Sequence, residues 1–182
     1  MTIKIGINGL GRIGRMVIRS LYEKNYKDIE IKHINNRSNS ETASQLLKYD
    51  SIHGKFNCEV KNDNKHLILK NKKISYSQHT NIEDIKWKKY GVEYVLECTG
   101  KFNSKEKLIK HIKNGVKKVI VSAPCKKSDK TIVFGVNENI IKKEDKIIST
   151  ASCTTNCLAP VAHVINKNFI IEQGFMTTMH SC

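Results

Sequence analysis

Proline is scarce in this chain and glycine is ordinary, at two and ten residues of 182. That excludes collagen-like and Pro/Gly low-complexity chains. No run approaches the ~18–20 consecutive apolar residues of a membrane helix. The start, Met-Thr-Ile-Lys-Ile-Gly-Ile-Asn, has no unbroken apolar stretch. No secretory leader is therefore expected, and a cytoplasmic setting is. Six cysteines without such a leader read as free thiols in a reducing compartment rather than as three disulfides. Acidic residues are few as well, 17 against 32 Lys and Arg, which leaves a formal charge of +15. The lysines are scattered among Asn and Ile, with no basic helix and no interleaved aromatics. They read as a solvated surface that attracts phosphorylated anions; neither a nucleic-acid face nor a membrane surface is expected.

At 39% hydrophobic residues the chain can bury a core, and its length allows one ordinary domain plus part of a second. Residues Ile3 to Asn8 read as a strand that runs straight into Gly9-Leu10-Gly11-Arg12-Ile13-Gly14. A helical pattern follows, with Ile13, Met16, Val17 and Leu21 on one face. Ile29 to Ile34 then alternates like a second strand. A glycine loop between a strand and a helix in such a unit is the dinucleotide fingerprint. The first glycine permits a tight turn, the second lets a pyrophosphate approach, and the third permits close packing. The helix start supplies amide donors and the positive dipole end.

A second helix is predicted over Ser40 to Tyr49. Small antiparallel hairpins are predicted from Phe56 to Ser77, and a strand over Val92 to Glu97. Ser104 to Lys113 reads as a helix capped by Ser104. Further strands are predicted at Lys118–Ser122, Thr131–Val136 and Lys146–Ser149. The alternation predicts an α/β fold: a Rossmann-like, doubly wound, mostly parallel sheet with small antiparallel insertions over residues 1–150. Residues 151–182 read as the start of an α+β catalytic domain. There a helix runs from Cys153 to about Lys167, with Pro160 inside it, and a β-rich segment follows from Phe169 to His180.

At the end of the second strand an acid usually holds the ribose 2′-OH of NAD. This chain has Asn35-Asn36-Arg37 instead. Two readings stand side by side. Asn36 could hydrogen-bond the ribose with Arg37 in water, or Arg37 could pair with the 2′-phosphate of NADP. Cys153 lies at a helix start, the setting that favours a thiolate nucleophile. Cys157, one turn on, reads as a small buried apolar residue; a Cys-x-x-x-Cys pair alone is poor ground for zinc, and no metal is expected. A cysteine nucleophile needs a base. His180 is the candidate, although spacing alone makes it one of seven histidines.

Six stretches stand out in order and spacing: Asn8-Gly-Leu-Gly-Arg-Ile-Gly-Arg15, Leu47-Lys-Tyr-Asp-Ser-Ile-His-Gly-Lys55, Glu97-Cys-Thr-Gly100, Val121-Ser-Ala-Pro124, Ala151-Ser-Cys-Thr-Thr-Asn-Cys-Leu-Ala-Pro160 and Thr177-Thr-Met-His-Ser181. Together they resemble the glyceraldehyde-3-phosphate dehydrogenases. The resemblance implies an NAD(P)-dependent, phosphorylating oxidation of glyceraldehyde 3-phosphate through a cysteine thioester. Its sister activity on erythrose 4-phosphate is the alternative, and a catalytically inactive nucleotide-binding fragment is another. The resemblance makes Cys153 the nucleophile and His180 the base. It gives phosphate or substrate to Ser152 and Thr154. It gives the dinucleotide to Asn8, Gly9, Gly11, Arg12, Ile13, Gly14, Asn36, Arg37, Thr99, Gly100 and Ser122. It implies NAD as cofactor with NADP also accepted, a phosphorylated aldehyde and inorganic phosphate as partners, and a homotetramer for the full-length protein. Asn36 stands where NAD-preferring members carry Asp, Thr80 where many carry Arg or Lys, and Cys182 where Tyr is usual. At 182 residues the chain reads as a partial sequence, expected to be inactive by itself.

Overall fold

The computed structural model describes residues 2–180. Its elements run β1 (Ile3–Asn8), α1 (Arg12–Glu23), β2 (Ile29–Asn35), α2 (Ser40–Lys48), β3 (Tyr49–Asp50), β4 (Gly54–Lys55), β5 (Val60–Asp63), β6 (His66–Leu69) and β7 (Lys72–Ser77). They continue with β8 (Tyr94–Glu97), α3 (Lys105–Lys113), β9 (Lys118–Val121), β10 (Lys130–Thr131), β11 (Ile147–Ser149) and α4 (Cys153–Phe169). Nine strands form one sheet in the order β10-β11-β9-β8-β1-β2-β7-β6-β5, and β3 and β4 form a separate small hairpin.

All pairs from β10 to β7 are parallel; β7-β6 and β6-β5 are antiparallel. The predicted hairpins therefore exist, but they extend the main sheet through β7. Their tight turn uses Lys70 and Asn71 at φ 46 and 64, the left-handed pair that suits right-twisted strands.

Side chains alternate across a strand, so β1 shows which elements cover which face. Ile5 and Ile7 join one core with Ile18 of α1 and Leu47 of α2. Gly6 lies between them and faces the opposite layer, where a Cβ would stand 2.5 Å from the Trp87 ring. Val95 of β8 packs with Trp87, and Val119 and Val121 of β9 pack with Leu108 of α3. Helices thus cover both faces, as a doubly wound sheet requires. From β1 the chain winds outward to β2, then returns to β8 on β1's other side. The switch point, where such folds bind ligands at the carboxyl ends of their strands, lies between Asn8 and Glu97.

Two strand expectations fail. Of Thr131–Val136 only Thr131 is paired, within β10. Asn137 interrupts the ladder: its side chain accepts from Val133 N at 2.7 Å and donates to the Thr131 carbonyl at 3.2 Å. Residues 170–180 form no strand. A strand is held by its neighbours rather than by β-forming residues alone, and none of the described strands lies beside this segment. α4 continues to Phe169 with Pro160 inside it. Cys157 is exposed rather than buried. The substitution noted at Cys182 lies outside the described residues.

Candidate functional site

At the switch point a cleft of about 260 Å³ is walled by Asn8, Gly9, Gly11, Asn36, Arg37 and Thr99, all predicted, and by Asn35, His79, Thr80, Cys98, Lys101 and Phe102. Arg12, Ile13 and Gly14 form the first turn of α1 beside it. Gly100 follows Thr99. Ser122, just past β9, donates its backbone N–H to the Glu97 carbonyl at 3.0 Å.

The three loop glycines differ in what forbids a side chain. Gly9 has φ +96, and a Cβ there would lie 2.8 Å from Thr99 N. A Cβ on Gly14 would lie 2.1 Å from the Gly9 carbonyl oxygen. At Gly11 the nearest atom is 3.9 Å away, so packing leaves room. A side chain at Gly11 would instead occupy the cleft. α1 has no side-chain cap and no acid in its first turn, so its leading amides are available to an anion. This arrangement fits a dinucleotide pyrophosphate.

Asn36 is already engaged within the protein. Its Oδ1 accepts from Leu10 N in the glycine loop at 3.0 Å, and its Nδ2 donates to Ser38 Oγ at 2.7 Å. Arg37 is exposed at the cleft mouth.

Cys153 follows the carboxyl end of β11. β11, β9, β8 and β1 are parallel and successive, so Cys153 shares the sheet edge of the glycine loop. The offset is three strand spacings, roughly 14 Å. The turn into α4 carries Ala151 at φ 60, a left-handed conformation unfavourable to residues with a Cβ. Asn156 braces that turn, donating to the carbonyls of Thr150 at 2.7 Å and Ser152 at 2.9 Å. Ser152 caps α4 by accepting from Thr155 N at 3.0 Å, and its Oγ lies 2.8 Å from Thr155 Oγ1. Cys153 is exposed at this helix start. Burial pushes the thiols of Cys58 and Cys125 up, and that of Cys98 up to about 11.

His180 comes to the same helix start. Its Nε2 lies 3.5 Å from Thr154 Oγ1 and 3.0 Å from Thr178 Oγ1. Among the described residues it hydrogen-bonds these hydroxyls and not Cys153.

Motif reading missed a buried polar chain beneath the cleft. Glu97 at the end of β8 bonds Asn8 at the end of β1, and Asn35 at the end of β2 donates to Asn8 Oδ1 at 2.8 Å. Buried polar residues at three neighbouring strand ends, Asn8, Asn35 and Glu97, were the available signal.

Comparison with known proteins agrees with this geometry. A family model described as "Glyceraldehyde 3-phosphate dehydrogenase, NAD binding domain" matches residues 3–105, and its C-terminal-domain counterpart matches residues 152–182. The chain belongs to the glyceraldehyde 3-phosphate dehydrogenase family. Relatives named glyceraldehyde-3-phosphate dehydrogenase include that of Pseudomonas aeruginosa, 44% identical, and that of Geobacillus stearothermophilus, 45% identical, each over 182 residues. The Thermotoga maritima protein is 44% identical over 178 residues. These matches cover 98–100% of the chain and 54% of each relative, so the chain spans about half the length of the curated relatives it matches. Within the family the switch-point cleft belongs to an NAD-binding domain.

Proposed function

We propose that the whole protein catalyses the phosphorylating oxidation of glyceraldehyde 3-phosphate to 1,3-bisphosphoglycerate, with Cys153 as nucleophile and His180 as base. The observation that carries this reading is one sheet edge bearing both an uncapped glycine-loop helix and an exposed cysteine at a second helix start.

Arg12 and Ile13 offer the first amides of α1 to the pyrophosphate, with Gly9, Gly11 and Gly14 giving it access. Asn8, Thr99, Gly100 and Ser122 shape the walls, and Asn36 and Arg37 meet the adenosine ribose. A nicotinamide dinucleotide bound there supplies the hydride acceptor. Cys153 Sγ bonds to the aldehyde carbon, whose oxygen becomes a hydroxyl. His180 takes that hydroxyl proton as the carbon is oxidised, leaving a thioester on Cys153. Amides at the start of α4 stabilise the oxyanion. Inorganic phosphate then attacks the thioester carbon, and Cys153 leaves as thiolate. Thr154 and Ser152 hold that phosphate; Ser152 keeps a proton for it when Thr155 Oγ1 donates between them.

The 182 residues alone are proposed to hold the dinucleotide with little turnover. Cys153 stands exposed, so water competes for the thiolate and for the oxyanion that the chemistry must stabilise. A cytoplasmic homotetramer is the proposed state of the whole protein, with NADP accepted beside NAD.

The test is NADH formation by the whole protein with glyceraldehyde 3-phosphate and phosphate, compared with erythrose 4-phosphate. A higher kcat/KM for the triose supports the reading. A preference for the tetrose assigns the sister activity, and no NADH with either substrate overturns the proposal.

A further inference from the structure

Glu97 is 1% exposed and His111 of α3 is fully buried. Four donors converge on the Glu97 carboxyl. Asn8 Nδ2 donates to Oε2 at 2.6 Å, Thr99 N to Oε1 at 2.9 Å, Thr99 Oγ1 also to Oε1, and His111 Nε2 lies 3.0 Å from Oε2. Trp87 decides which ring nitrogen of His111 carries the proton. Its indole N–H is a donor only, and it points at His111 Nδ1 at 2.8 Å. Nδ1 is therefore the acceptor, Nε2 carries the proton, and the imidazole is neutral. Asn8 cannot be turned round either, because its Oδ1 already accepts from Asn35 Nδ2 at 2.8 Å.

A carboxylate accepts at both oxygens and has room for four such bonds; a carboxylic acid would set its own proton against one of these donors. Burying an unpaired charge is costly unless hydrogen bonds compensate it, and here four do. The bonded groups belong to the two sides of the switch point, and Thr99 N is the atom that a Cβ on Gly9 would strike at 2.8 Å.

We propose that Glu97 is a positioning residue for the dinucleotide. Its ionised carboxylate locks Asn8 and Thr99 so that the glycine loop and the Thr99–Gly100 wall keep their spacing, and Trp87 fixes the His111 proton that completes the lock. This rests on the dinucleotide reading of the cleft. No atom of Glu97 is asked to touch substrate. Its effect belongs in cofactor affinity rather than in the chemical step.

The experiment measures NAD affinity by calorimetry, with kcat and KM for NAD, on the whole protein. Glu97→Gln replaces one acceptor by a donor aimed at donors. It should weaken NAD about tenfold, as loss of a hydrogen bond to a charged group predicts, and raise KM while kcat changes little. His111→Gln can still receive the Trp87 N–H and donate to Glu97, so it should bind NAD nearly as the parent does. His111→Phe, which can do neither, should reproduce the loss. If Glu97→Gln does not fold, the two His111 variants carry the test. Equal NAD affinity for His111→Gln and His111→Phe, or parent-like affinity for Glu97→Gln, overturns the proposal. A fall in kcat with KM unchanged overturns it too. A parent that binds no NAD refutes the cleft's reading instead, so the two failures are told apart.

Discussion

A Cβ on Gly14 would stand 2.1 Å from the carbonyl oxygen of Gly9, a separation that no relaxed contact reaches. The first turn of α1 can approach β1 this closely only without that atom. Gly14→Ala should therefore force loop and helix apart. Overpacking of this kind costs about 1–3 kcal/mol. The expected result is a lower midpoint in urea together with lost NAD binding. Gly11→Ala meets no protein atom within 3.9 Å, so it should keep its stability and lose only the cofactor. Equal stability losses for the two variants would contradict these roles.

The thiols should react in an order set by placement. Cys153 and Cys157 are exposed, whereas burial pushes Cys58 and Cys125 up and holds Cys98 up to about 11. Cys153 is also the first residue of α4, beside the helix's leading amides. With limiting iodoacetamide near neutral pH, peptide mass spectrometry should find Cys153 labelled first and Cys98 last among these five. Labelling of Cys58 or Cys98 ahead of Cys153 would remove the ground for its role.

Acid stability should carry the mark of His33. This ring is fully buried, stacked on Tyr90 at 3.9 Å, with Ser75 Oγ at 2.7 Å and Ser77 Oγ at 2.8 Å. Burial, helped by the nearby His79, lowers it from 6.5 to about 4, while Ser75 opposes the shift. The unfolded ring takes a proton near 6.5 and the folded one only near 4. Between those values the unfolded state binds more protons, so stability falls as the pH drops through the window. His33 alone could withdraw at most about 3 kcal/mol there. His33→Gln keeps hydrogen-bonding groups without titrating. It should flatten the dependence of Tm on pH between 6.5 and 4; an unchanged slope would mean that His33 does not set it.

Asn36 offers a direct test of cofactor choice. Asp at this position could still accept from Leu10 N through one oxygen, leaving the other for a ribose hydroxyl. Asn36→Asp should raise the NAD-to-NADP ratio of kcat/KM about tenfold, since ~1.4 kcal/mol is tenfold. The charge would favour the ribose diol and repel a 2′-phosphate. An unchanged ratio would show that ribose recognition lies elsewhere, and the side-chain bond to Leu10 would then be the whole role of Asn36.

Where residues carry a local signal, the sequence made the fold legible. Ile5 and Ile7 against Gly6 mark a two-faced strand, and the glycine loop marks the turn into α1. Ser152 before Cys153 marks a helix start, and the cap is present. Where the deciding partner is distant, the signal is silent. Nothing near Thr131 announces that Asn137 will take its carbonyl. The segment from Phe169 to His180 has β-forming residues, but pairing depends on neighbours. Asn36 stands just past the end of β2 in the sequence, but nothing local announces that its oxygen takes the amide of Leu10, 26 residues away. Glu97, His111 and Trp87 are separated by 14 and 24 residues along the chain, so only the folded sheet brings them together.

The proposed oxidation proceeds through an acyl group on Cys153. The most direct measurement mixes the whole protein with glyceraldehyde 3-phosphate and NAD, without inorganic phosphate, and quenches in acid for peptide mass spectrometry. The expected species is a phosphoglyceroyl thioester on Cys153, formed in step with one equivalent of NADH and lost on adding phosphate. An acyl group on another residue, or NADH formed by a Cys153→Ser variant at the parent's rate, would contradict it.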